Sequence, residues 1–168
     1  MNSVSVRTSA GISRFAVLTL SGLILAAGSN PNRELYAQGG ARISGAAISK
    51  VARDTRKLTV QAQASAGSSA AAGTVQFIHN SPAGLSRFRG TITCVSVSGG
   101  TVQISGLIEK GETATGALLD AKAYAMTINM GPPQNFSLPT IGEPGAVGAC
   151  SGGRGETIPV TEDGFKLQ

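Results

Sequence analysis

The chain has 168 residues and a formal net charge of +5; 41% of its residues are hydrophobic, only 4% are aromatic, and tryptophan is absent. That length suits one domain, and so few aromatics exclude a base-stacking platform, so no nucleic-acid partner is expected. One histidine and two cysteines are too few soft donors for a metal centre, and neither a metal nor another cofactor is expected.

The N-terminus carries Arg7 and Arg14, then the apolar run F-A-V-L-T-L-S-G-L-I-L-A-A-G from Phe15 to Gly28. Positive charge followed by a short apolar stretch is the layout of a secretory signal, and the run falls short of the about 20 apolar residues of a membrane helix. Residues 1–37 are therefore expected to be a signal peptide and flexible leader, and 38–168 the secreted β domain. Cleavage is expected either after Gly28, with small residues Ala26 and Gly28 at the third and first positions before the cut, or after Ala37, which leaves Gln38 as the new terminus, and no stable membrane span is expected afterwards. Leaving out Arg7, Arg14, Arg33 and Glu34, which precede Gln38, reduces the charge to +3. A surplus this small is a solubility feature more than a nucleic-acid footprint.

Period-two alternation predicts strands over 43–51, 57–64, 73–79, 88–97, 101–109, 122–129 and 157–167, the last with a break at Asp163-Gly164. Seven or eight short strands predict an all-β fold, a single antiparallel sandwich or flattened barrel. Turn-forming residues separate them at Asp54-Thr55, at Ala66-Gly67-Ser68-Ser69 and at Ser81-Pro82-Ala83-Gly84. The firmest signal is G-T-I-T-C-V-S-V-S-G-G-T-V-Q-I-S-G-L-I over 90–108, where Gly99-Gly100 joins two β-branched runs as a tight hairpin. In strict alternation Ile92, Cys94 and Ser96 share one face and Thr91, Thr93, Val95 and Val97 the other, which places the hairpin mid-sheet and covered on both sides.

Cys94 in this hairpin and Cys150 are the only thiols, and in an oxidising compartment they are expected to pair. Residues 111–123 (G-E-T-A-T-G-A-L-L-D-A-K-A) have room for a turn or two of helix, against which Gly116 and the threonines weigh. Residues 131–155 form an aperiodic stretch of about 25 residues, beyond the usual loop. Its Phe136, Leu138 and Ile141 either plug the end of a barrel or present a binding surface. Asn135-Phe136-Ser137 also matches a glycosylation acceptor.

Catalytic patterns are sparse. His79 ends a strand pattern in F-I-H-N-S-P; a hydrolase would pair it with Ser81 or a distant serine and an acid such as Asp120, but no G-x-S-x-G context supports this. Glu162-Asp163 reads as a turn beside Gly164, and Glu109, Glu112, Asp120 and Glu156 are a scattered carboxylate set that sequence cannot bring together. The glycines of Ser151-Gly152-Gly153-Arg154-Gly155 and of 142, 145 and 148 lack a phosphate-loop or dinucleotide spacing. Basic residues group at Arg53, Arg56 and Lys57 and again at Arg87 and Arg89; adjacent on one face they would suit an anionic polymer or membrane surface, and otherwise they guard sheet edges.

Over 75–108 the chain resembles a family of exported bacterial domains of unknown function. Its members carry a V-Q-F-x-H/N strand and a G-x-I/V-T-C-L/V-x-V-x-G run closing on I/V-x-G. The matching residues are Val75, Gln76, Phe77, Asn80, Gly90, Ile92, Thr93, Cys94, Val97, Gly99, Ile104 and Gly106. A looser match reaches Gly131-Pro132-Pro133 and Cys150. The resemblance implies a small secreted bacterial β domain without an assigned activity. Family members often hold a His or an acid near the positions of Arg89 and Asn129, and this chain does not.

The sequence is thus read as an exported, non-catalytic β domain with a binding or structural role, its 131–155 loop the contact surface for another extracellular protein. A carrier of a small apolar ligand inside a barrel is the alternative, and a minor hydrolase the third reading.

Overall fold

A computed structural model describes residues 40–147 and 150–168. The expected leader over 1–37 and both cleavage points lie outside the described residues. The domain is all-β, a single antiparallel sheet of ten strands curled into a half-barrel. Its long strands are β1 (Arg42–Val51), β2 (Asp54–Ala64), β3 (Ala70–Ser81), β4 (Gly84–Ser98), β5 (Thr101–Glu112) and β6 (Ala123–Asn129). Short ones follow as β7 (Asn135–Ser137), β8 (Thr140–Gly142), β9 (Thr157–Pro159) and β10 (Glu162–Leu167). The order is β10-β1-β2-β3-β4-β5-β6-β7-β9, with β8 also paired to β6.

β1 to β5 extend the expected strands by up to four residues at an end, and β6 begins one residue later than expected. The first turn falls at Ala52-Arg53, and Asp54 already belongs to β2. The final break falls at Val160-Thr161, while Asp163 and Gly164 stay paired within β10 at positive φ. Gly99 and Gly100 have φ of 56° and 79°, the pair of positive values that a two-residue hairpin of type I′ requires. Residues 113–122 hold no helix. Gly116 sits at φ 81°, Thr113 N–H donates to Ala117 O, and the carboxylate of Asp120 accepts the Gly111 N–H at 2.8 Å. Those bonds make a compact turn between β5 and β6 in place of the i to i−4 ladder.

One face of the curl is apolar. Ala47, Leu58, Phe77 and Phe88 are register partners in succession across β1 to β4, and all are buried. Phe77, Phe88 and Tyr124 stack along the interior with centroids 5.6 and 5.4 Å apart. Aromatic pairs at such distances add to the free energy of burial.

Two register shifts between β4 and β5 change which residues face inward. Ile92 pairs Gly106 while Cys94 pairs Ser105, so Thr93 is an extra residue on β4; Glu109 is the extra residue on β5. Across the bulge at Thr93, Ile92 and Val95 both point inward and Cys94 points outward. The two-sided pattern of the hairpin is thus largely a change of parity, with one apolar inner face.

Gly106 is required at this bulge, because a Cβ there would collide with the carbonyl of Thr91. That same carbonyl accepts the Tyr124 hydroxyl at 3.1 Å. Tyr124 is fully buried, and burial pushes its phenol above the usual value of about 10. A raised native pKa means stability that is present below pH 10 and lost as the pH climbs past the value of the unfolded tyrosine. Tyr124→Phe is therefore expected to lower stability by about 1 kcal/mol at neutral pH and to flatten the alkaline decline. Urea midpoints at neutral pH and above pH 10 check this, and parallel declines in both proteins would contradict it.

The C-terminal segment ties the two flanks of the curl together, since β9 pairs β7 and β10 pairs β1. Gln134 completes the closure: its side-chain amide donates to Phe165 O at 3.0 Å and accepts from Phe165 N–H at 2.9 Å, as a peptide unit of a neighbouring strand would. Its own carbonyl accepts the Val160 N–H at 2.9 Å.

The Cys94–Cys150 disulfide is formed, with a Cα separation of 5.2 Å. It fastens the chain after β8 onto the outer side of β4 and β5, where Cys150 N–H also donates to Ser105 Oγ at 2.9 Å. This covering explains why Ser105, Ala125 and Ser137 are buried although they alternate with interior residues.

Candidate functional site

The outer face of β2 to β5 is built by the residues that alternate with the core. One row runs Thr59, Gln76, Arg89, Lys110 and the next Lys57, Ile78, Arg87, Glu112, each residue the register partner of its neighbour. A third row is Gln61, Thr74, Thr91 and Leu107. The two basic groups of the sequence meet here in part, because β2 and β4 flank β3 and bring Lys57 and Arg87 into one row. Arg56 faces the other way, into the interior.

Arg87 is paired with Glu112 at 2.8 Å. Among the described residues Lys57, Arg89 and Lys110 form no salt bridge. The turn over 113–122 rises beside β5 and makes a groove whose floor and walls include Gln76, Arg89, Lys110, Leu118 and Asp120. Beside the cations of Arg89 and Lys110 and the amide of Gln76, the shallow, open groove carries two carboxylates, Glu112 paired with Arg87 and Asp120 accepting the Gly111 N–H. The five described aromatic residues, Phe77, Phe88, Tyr124, Phe136 and Phe165, are all in the core.

The residues singled out in the long loop sit elsewhere. Phe136 on β7 is fully buried, with its ring edge-on to Phe165 at 6.3 Å. Leu138 and Ile141 are half-buried and pack against the same core. Asn135 accepts a hydrogen bond from the Asn129 amide at 2.6 Å, and Ser137 Oγ accepts the Thr127 N–H at 2.9 Å, so both polar residues of the glycosylation pattern are tied into the sheet.

His79 lies on the interior face of β3. The acid beside it is Asp54, whose Oδ2 is 3.5 Å from His79 Nε2 and accepts from Arg56 Nη2 at 2.6 Å. Asp120 is at the 113–122 turn and does not join this cluster. Among the described residues no serine hydroxyl bonds to the imidazole, and no three His, Cys, Asp or Glu side chains gather as metal ligands. Sequence reasoning missed Asp54 and Arg56 as companions of His79, since their neighbourhood is set by the β2–β3 pairing alone.

Fold and surface together define a disulfide-stapled antiparallel half-barrel with a basic outer face. No family model matches the chain, and neither a curated protein nor a solved structure is significantly similar to it. Among the described residues no helix is long and apolar enough to cross a membrane.

Proposed function

We propose that this chain is an exported, non-catalytic binding module whose outer sheet face takes an extended acidic polysaccharide. The carrying observation is the row Thr59, Gln76, Arg89 and Lys110 with Lys57 and Arg87 beside it. Lys57, Arg89 and Lys110, which form no salt bridge among the described residues, stand there beside amide and hydroxyl groups, while Arg87 is paired with Glu112. Carboxylate or sulfate groups suit the arginine and lysines, and sugar hydroxyls suit Gln and Thr. Exposed large apolar residues are dispersed over Val51, Leu85, Leu107 and Leu118, which favours a hydrated polymer over a lipid surface.

Export is supported by the basic-then-apolar N-terminus and by the disulfide. An internal apolar cargo would need the space that Phe77, Phe88, Tyr124 and Met126 occupy. A hydrolytic role would need a nucleophile on His79, and the imidazole instead stands beside Asp54 and Arg56.

Retention on immobilised dextran sulfate and polygalacturonate, with neutral dextran as control, tests the reading. Arg89→Glu combined with Lys110→Glu is expected to weaken binding by at least about tenfold, the scale of one lost charge-assisted contact, and added salt to weaken the wild type. Equal retention on neutral dextran, an unaffected double variant, or preference for anionic vesicles or duplex DNA would overturn it.

A further inference from the structure

One step beyond the apolar row of Ala47, Leu58, Phe77 and Phe88, the interior face changes character. Ser49 on β1, Arg56 on β2, His79 on β3 and Ser86 on β4 follow as successive register partners at the end of the curl marked by the β1–β2 turn. Ser86 Oγ accepts the Ala114 N–H at 2.9 Å. Ser49 Oγ, Arg56 Nε and His79 Nε2 are cut off from solvent and have no hydrogen-bond partner. They are the three such side-chain atoms among the described residues, and Ser49 is wholly buried.

Buried polar atoms are ordinarily satisfied, and one left alone forfeits free energy comparable to a lost hydrogen bond. Three on neighbouring strands call for a shared partner. Arg56 Nε–H can only donate, the Ser49 hydroxyl can donate, and His79 Nε2 donates in one tautomer and as imidazolium. A water molecule has two acceptor sites, fewer than these donors, whereas a carboxylate offers about four lone-pair sites. Asp54 fixes the guanidinium through Nη2 and balances its charge, and the same Oδ2 stands 3.5 Å from His79 Nε2. A surface groove lined by Val51, Arg53, Asp54, Arg56, Glu156 and Ile158 lies at this end of the curl and meets the row at Arg56.

We infer that the Ser49, Arg56 and His79 row is a binding site for a small carboxylate, separate from the outer face. His79 is the single histidine of the chain, so its ring resonances report on the site without assignment ambiguity. Titrating the disulfide-bonded protein with sodium acetate is expected to shift them saturably in the millimolar range, while sodium chloride at equal ionic strength leaves them in place. Ser49→Ala is expected to weaken acetate binding about tenfold, one charge-assisted contact, and to raise the unfolding midpoint without acetate, because the unsatisfied hydroxyl is gone. Arg56→Gln is expected to abolish saturation. A non-saturating response, an equal effect of chloride, or wild-type acetate affinity in Ser49→Ala would overturn the site, and saturation by inorganic phosphate with no response to acetate would overturn its carboxylate chemistry.

Discussion

Phe88→Ala is expected to lower stability by about 4 kcal/mol, within the usual range for emptying an aromatic position in a core. Phe88 is 3% exposed and stands between Phe77 and Tyr124, so truncation removes both ring contacts together with its own burial. Its register partner on β5 is Gly111, which has no side chain to move into the space. For a small domain such a loss is a large share of the total stability. The drop should appear as a lower urea midpoint at an unchanged slope. A loss below about 1.5 kcal/mol would mean that the stacked rings close over the gap.

Removing the disulfide is expected to cost a similar amount by a different route. Cys94 and Cys150 are 56 residues apart, and closing a loop of that length stabilises by about 4 kcal/mol on the chain-entropy account, through the unfolded state. Replacing both cysteines with alanine avoids a lone reactive thiol and should reproduce the midpoint of the reduced wild type. The covering segment beyond β8 should then become a cleavage site for protease, since its attachment to Ser105 and Thr127 would rest on single hydrogen bonds. Equal protease resistance with and without the bond would show that packing alone holds the segment down.

Much of the sheet was legible in the chain because its strands are long and their turns chemically marked. Gly99-Gly100 reads as a hairpin from residue type alone, since only glycine takes two positive φ values without strain. The bulges at Thr93 and Glu109 were not legible. An extra residue in a ladder is a property of two strands in register, and counting by twos along one strand cannot register it. The three-residue strands β7 and β8 are too short to show a period, so the stretch over 131–155 read as loop. Phe136 read as plug or contact for the same reason, and its burial against Phe165 depends on β10 returning to the same interior from the far end of the chain.

The candidate sites divide in the same way. Arg87 and Arg89 were visible as a basic pair, but Lys57 and Lys110 join them only through cross-strand partnership. His79 was visible as the single histidine, yet its neighbours are Asp54 and Arg56, some 23 to 25 residues away along the chain, and Ser49 beyond them. Composition, alternation and two thiols determined an all-β domain closed by one disulfide, because burial on a pleated strand has a fixed local period. Which polar residues stand together was decided by the tertiary structure, because register, bulges and the closure through Gln134 are set by pairing between distant strands.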